Sequence, residues 1–411
     1  MSTDNMNEIL ESYSRRLFLQ RTALFSGMLA LGSGSYLLNP RGAWAADPIK
    51  VGFALDLTGP ISVQGLPCAN VAKMLVEDIN AKGGVLGRPL QMFLEDTATN
   101  EAIAVTRVSK LVQKDNVDVM IGGITSSMRN AIKDTIVNRG KKLYLYPQLY
   151  EGKECTANLF CTGPTPAQQC DTFVPWLMKN TGKKFYFTGA DYIWPHTLNA
   201  YAKNVVEKNG GEVVGEEYSP VDQVEYGATV RKIMANNTDV VFTTLIPPGL
   251  PVFVKQLYEA GFMKRGGRVA SVLYDESTMT ISSPAETEGL ASCLDYFRAV
   301  DDPFSKQLFE KYTAMFGTKN PLSAAGGSTG TYRAVKLWEA AAKEAGSVAR
   351  DAVAAALDHA KISEGPGGGA EMVPGTRHVK MNMYTAVAKG GKFDIVDKSN
   401  GAVAPGECMK S

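Results

Sequence analysis

The 411-residue sequence predicts an α/β fold in two halves, each built around its own parallel sheet. Three observations carry that expectation. Short apolar runs alternate with amphipathic stretches of about 10 to 15 residues, the signature of successive β-α-β units. The alternation runs once, is interrupted by the polar stretch TGPTPAQQ, and then restarts. The composition, 45% apolar and 21% charged, is that of a globular chain, and the length suits two domains at roughly 150 residues each.

The elements follow in order. KVGFALDL reads as a strand closed by the turn signal TGP, and ANVAKMLVEDINAKGG as a helix with Val71, Leu75 and Ile79 on one face and a glycine stop. LQMFLED, VDVMIGG and KLYLYP are the next strands, separated by the helices EAIAVTRVSKLVQKD and SSMRNAIKDTIVNRG. The second half repeats the scheme with strands KKFYFTGA, GEVVGEEYS, DVVFTTL and RVASVLY, and with helices HTLNAYAKNVVEKNGG, YGATVRKIMANN and LPVFVKQLYEAGF. Three more helices follow (KQLFEKYTAMF, TYRAVKLWEAAAKEAG, VARDAVAAALDHA), then a Gly-Pro joint, EGPGGGA, that reads as a hinge or turn. HVKMNMYTAVA and KFDIV are weak closing strands.

The N-terminus carries SRRLFLQ ahead of a short apolar stretch broken by Gly and Ser, then Ala43-Trp44-Ala45, a small-x-small cleavage pattern. This predicts a cleaved signal peptide over residues 1–45, with paired arginines that match the twin-arginine export pattern. A periplasmic protein without a lipid anchor is expected, since the first cysteine is Cys68. In that oxidising compartment Cys155 and Cys161, which flank a polar turn, are expected to form a small-loop disulfide, the alternative being two thiols. Cys68, Cys170, Cys293 and Cys408 cannot be paired from sequence.

Ligands of open α/β sheets bind where strands end. Those positions here are rich in hydroxyl and aromatic groups and poor in cations, which suits a small hydrogen-bonding ligand. ITSSMRNAI offers Ser126 or Ser127 as a helix cap, leaving backbone N–H groups toward the crevice. DYIWP presents Tyr192 and Trp194 two residues apart, as pocket walls or as a buried corner. Tyr146 ends the fourth strand, with Gln148 and Leu149 after it, while Tyr150-Glu151-Gly152 is expected to shape the turn. Tyr274 and Asp275 follow the strand RVASVLY.

Other functions find little support. A net charge of +1 provides no field for nucleic acid or anionic lipid. The three histidines stand singly, without metal-ligand spacing. Gly326 to Gly330 matches G-x-S-x-G, but no strand precedes it, so no nucleophilic Ser328 is expected. GPGGGA follows a helix and opens none, so it fails as a phosphate loop. No catalytic residue, cofactor or metal is expected.

PIKVGFALDLTGP and DINAKGGVLGRPL resemble the periplasmic solute-binding proteins of ABC importers, of the leucine-binding-protein type (type I periplasmic binding fold). YPQLYEG, FCTGPTPAQQ, GADYIWPHTLN and GGEVVGEEYSP look more specifically like the urea and short-chain-amide branch. The resemblance implies two Rossmann-like lobes joined by three crossover strands and closing on a ligand. It divides the mature chain into an N-terminal lobe (46–165 plus 296–364) and a C-terminal lobe (166–295 plus 365–411). It implies ligand contacts at Ser126, Tyr146, Gln148, Leu149, Tyr192 and Trp194, with Tyr274 and the acidic Asp275 near the place where amino-acid binders hold an ammonium. Urea or a short-chain amide is the expected ligand, with a branched-chain or other amino acid as the alternative. ABC permease subunits are the expected partners, and a ligand-sensing regulator on the same fold is the alternative from another class.

Overall fold

The computed structural model describes residues 47–322, 324–325 and 327–408. The export signal lies outside them. β1 (Ile49–Leu55), β2 (Leu90–Asp96), β3 (Val119–Gly122), β4 (Leu143–Tyr146) and β5 (Leu159–Cys161) pair in parallel in the order β2-β1-β3-β4-β5. β6 (Lys184–Ala190), β7 (Glu212–Ser219), β8 (Val240–Thr244), β9 (Arg268–Ser271) and β10 (Ala291–Leu294) repeat that order as β7-β6-β8-β9-β10 in a second sheet. Helices cover both faces, so the strands read as apolar runs. In β4, Leu143 and Leu145 join one buried cluster while Tyr144 and Tyr146 face the other.

The C-terminal strands depart from the expected division. β11 (Lys361–Ile362), β12 (Ala370–Val373) and β13 (His378–Met381) return to the first sheet, where β13 lies beside β5. Only β14 (Tyr384–Lys389) and β15 (Lys392–Lys398) complete the second. Both sheets are therefore mixed, because β12, β14 and β15 run antiparallel to their neighbours. The chain passes between sheets after β5, after β10 and at Asn382-Met383, so the third passage lies beyond the Gly-Pro joint. The tail then returns to the first sheet, where Val403 bridges to Met381.

The three passages are tied together. Arg333 Nε donates to the Thr162 carbonyl of the first passage at 2.8 Å, and its Nη1 meets Asp295 Oδ2 of the second at 2.6 Å. The Gly-Pro joint leans on the second passage: a Cβ on Gly367, at φ +81°, would lie 2.1 Å from the Asp295 carbonyl oxygen. The Gly367 carbonyl accepts Asn382 Nδ2 at 3.0 Å and the Tyr384 hydroxyl at 2.8 Å, which brings in the third passage. Only glycine combines that backbone with that contact.

The disulfide expectation is corrected. Cys155 pairs with Cys408, clipping the tail to the loop after β4. Cys161 stays a thiol because it lies in β5 with its side chain fully buried, while Cys155 sits on an exposed loop. Burial pushes the Cys161 thiol up to about 12. Among the described residues no helix is long and apolar enough to cross a membrane.

Candidate functional site

In a sheet ordered 2-1-3-4-5, the crevice opens between the first and third strands, where helices leave in opposite directions. Both sheets have that order, and both crevices open onto one cavity. From the first sheet it is lined by Ile61 and Gln64 after β1, by Ile124, Thr125 and Ser126 after β3, and by Gln148 and Leu149 after β4. The second sheet supplies Tyr192 and Trp194 after β6, Ile246 after β8 and Leu273 after β9. Ala325 completes the wall. Only about 20 Å³ of the space is open to the centre of a water molecule. That is room for one or two waters.

Local rules place each group. Thr125, rather than Ser126 or Ser127, caps the helix Ser126–Lys133, accepting Met128 N at 3.1 Å. Ser126 is thus the first residue of the helix, and its hydroxyl donates to Glu151. Behind it, Glu151 Oε1 meets Arg129 Nη2 at 2.7 Å and Arg129 Nε meets Glu154 Oε2 at 3.1 Å. The guanidinium lies 5.0 Å from the ring of Tyr146 and 4.9 Å from that of Tyr150, two cation–π contacts from rings set edge-on to each other. Glu151 is therefore more than a turn residue: it links the cavity wall to a buried ionic cluster.

Tyr192 and Trp194 form the opposite wall, rings 6.2 Å apart and inclined at 38°. Two buried donors in the lining, Gln64 Nε2 and Trp194 Nε1, have no hydrogen-bond partner among the described residues. Buried donors are normally satisfied, so a pair of orphans in one cavity marks a place for an acceptor. The Gln148 side chain is wedged in place by Gly327 and lies 3.9 Å from Cys68 Sγ.

Five of the eight residues expected from sequence meet at this cavity: Ser126, Gln148, Leu149, Tyr192 and Trp194. Three stand behind it. Tyr146 is outside the lining but directly behind it: its hydroxyl stands beside Ser126 and donates to the Ile124 carbonyl at 3.0 Å. Burial holds that phenol well above its ordinary range, so it stays neutral. Tyr274 bonds Ser282 through its hydroxyl. Asp275 is spent on structure: Oδ1 caps the turn Glu276–Met279 through Ser277 N at 3.0 Å, and Oδ2 accepts Ala325 N at 2.8 Å. Gln64 escaped the sequence reading because it lies on the first turns of a helix, beyond the strand end itself. Ser328 opens a helix after Gly327, and among the described residues no strand leads into it, so the strand–turn–helix context of a nucleophile elbow is not met.

The sequence profile described as "Periplasmic binding protein" matches residues 48–392. The chain belongs to that family. As a periplasmic binding protein it is a solute-binding protein of the ABC-transporter, leucine-binding type, and it binds rather than transforms. It is 26% identical over 343 residues to the Leu/Ile/Val-binding protein BraC3 of Rhizobium johnstonii, covering 76% of this chain and 84% of that one. With the Leu/Ile/Val-binding protein of Escherichia coli K12 it shares 32% identity over 244 residues, 58% of this chain and 64% of that one. Its fold superposes with a TM-score of 0.77 on an R. palustris solute-binding protein in complex with 4-hydroxybenzoate, at 19% identity, covering 87% and 98% of the two chains. The leucine-binding protein LivK of Thermotoga maritima gives a TM-score of 0.74 at 20% identity, covering 86% and 99%.

Proposed function

We propose that this periplasmic binding protein captures a small, uncharged, hydrogen-bonding solute, urea or a short-chain amide, between its two lobes. It then delivers that solute to the permease subunits of an ABC importer, after export by the twin-arginine route. The observation that carries this reading is the cavity's chemistry. Among the described residues its lining holds two unpartnered donors and no charged side chain. An amino acid would bring an ammonium group into that space without a counter-charge, and an unpaired buried charge is costly. The cavity's size points the same way, because space for one or two waters favours a ligand of few heavy atoms over a whole amino acid.

Magnitude makes the reading testable. At a ceiling of about −1.5 kcal/mol per heavy atom, urea binds no tighter than about −6 kcal/mol, or tens of micromolar. The names of the relatives favour a second reading, a branched-chain amino acid. Under it the lobes must open wider and the cavity must gain a partner for the ammonium. Calorimetric titration of the mature protein with urea, acetamide and leucine separates the two. Urea or acetamide binding at micromolar to millimolar Kd with leucine silent supports the first. Leucine binding with both amides silent overturns it in favour of the second.

A further inference from the structure

Resting on the amide reading above, we infer that Glu151 is a positioning residue that fixes the direction of the Ser126 hydroxyl and thereby makes the site select an amide N–H over a carboxylate oxygen. A serine hydroxyl carries one proton and two lone pairs. Here the proton is committed, because Ser126 Oγ donates to Glu151. A carboxylate can only accept, and this one is held by Arg129 Nη2 at 2.7 Å on its other oxygen. The Tyr146 hydroxyl beside Ser126 donates to the Ile124 carbonyl, so it meets Ser126 Oγ as a second, neutral acceptor and supplies no competing proton. The charged Glu151 is the stronger of the two acceptors. Ser126 therefore shows the cavity an acceptor. Across the same small space, Gln64 Nε2 and Trp194 Nε1 show donors.

A ligand that matches must carry an acceptor and a donor on one compact plane. A primary amide or urea has both. A carboxylate of the same shape has an acceptor at each end, so one of its oxygens would face the Ser126 lone pairs. A site built to pair with an N–H rejects the analogue that lacks it far more strongly than an apolar pocket rejects a missing methylene. Repulsive elements of this kind are how specificity is commonly set.

The ionic cluster explains why the arrangement is rigid. Arg129 is shared between Glu151 and Glu154 and lies against two tyrosine rings, all buried. Glu151 is held on Arg129 through Oε1 and on Ser126 through Oε2, so turning it breaks one bond or the other. In Glu151→Gln the amide oxygen stays on Arg129, because the cation needs an acceptor. The new NH2 then faces Ser126 and donates to it, and the Ser126 proton turns toward the cavity.

The test uses isosteric probes, acetamide and acetate, titrated into the full mature protein at pH 7.5, where acetate is ionised. Wild type is expected to favour acetamide over acetate by at least about 100-fold. E151Q is expected to reduce that ratio by at least tenfold, with acetamide weakened and acetate strengthened. A merely structural role for Glu151 would weaken both probes together and leave the ratio within about twofold, which overturns the inference. Ser126→Ala gives a second reading, since Thr125 holds the helix cap. It should lose acetamide affinity while acetate gains, and equal losses overturn the inference. Wild type that binds neither acetamide nor urea overturns the ligand class itself, and this inference with it.

Discussion

Ala325 donates its backbone N–H to Asp275 Oδ2 at 2.8 Å, joining the segment that walls the cavity to the end of β9 in the other lobe. Asp275 is fully buried, and its other oxygen caps the turn that follows it. In Asp275→Asn, Oδ1 can keep the cap while the new NH2 faces the Ala325 donor. A hydrogen bond to a charged acceptor, with a buried donor left unsatisfied, is worth about 2 kcal/mol. We expect D275N to unfold at lower denaturant and to bind its ligand about tenfold more weakly. A variant with unchanged Kd would show that the bond braces the Ala325 segment without shaping the cavity.

Trp194 and Gln64 should matter through single atoms. Trp194→Phe keeps a flat apolar wall and removes only the Nε1 donor, and Gln64→Leu keeps volume and removes the amide. A lost hydrogen bond to a bound ligand costs about 1 kcal/mol or more, so each change should weaken acetamide binding by roughly five- to tenfold. Melting temperature should hold or rise slightly, because a buried unpaired donor is gone. Calorimetry and thermal denaturation on the same samples separate binding from stability. A variant that binds as wild type does would place the ligand carbonyl elsewhere.

Most of the parallel core was legible: β1, β3, β4, β6 and β8 are buried apolar runs, and β2, β7 and β9 follow from the alternation. β5 and β10, only three and four residues long, gave no strand signal of their own. The site was legible only in part, and β4 shows why. Strand alternation sets Leu143 and Leu145 against Tyr144 and Tyr146, so Tyr146 stands behind Ser126 and Ile124 and not in the lining itself. Gln148 and Leu149, past Pro147, reach it instead. A family pattern names Tyr146 as near the ligand and does not say which way it points. The long-range partners were illegible for a different reason. Nothing local to Ala370–Met381 tells that its neighbour is β5, more than 200 residues back in the chain and on the far side of a whole lobe. Cys155 looks adjacent to Cys161, but β5 carries Cys161 inward while the tail brings Cys408 to the surface loop.

Removing the disulfide tests that tail. The Cys155–Cys408 link spans 253 residues, and closing so long a loop in the unfolded chain is worth about 5 kcal/mol on chain-entropy grounds. Cys408→Ser, or reduction of the exposed bridge, should lower the melting temperature by roughly 5–10 °C. The neighbouring Glu154 and Lys153 backbone, the latter held by Glu407 at 2.7 Å, should lose hydrogen-exchange protection first. A melting temperature indifferent to reductant would mean that the tail is held by Gln168, whose Nε2 grips the Val379 and Val403 carbonyls at 2.9 Å each.

Glu276 sets a pH dependence of the opposite sense to that of an ordinary paired acid. It borders a cleft of about 480 Å³ between the turn Glu276–Met279, the helix Pro303–Phe316 and β15. Its Oε2 is buried without a partner among the described residues, while Oε1 accepts Arg298 N at 2.6 Å. Burial first, and the Asp275 charge second, push the carboxyl from 4.5 up to about 8, against the pull of the Arg298 N–H bond and its guanidinium. Between those values the folded protein keeps a proton that the unfolded chain has released. Stability from this group is therefore complete below about pH 4.5 and is lost as pH rises toward 8. Glu276→Gln removes the titration. Its melting temperature should match wild type near pH 5 and exceed it near pH 9, read by circular dichroism in buffers of equal ionic strength. Parallel curves for the two proteins would show that the cleft solvates the carboxylate after all.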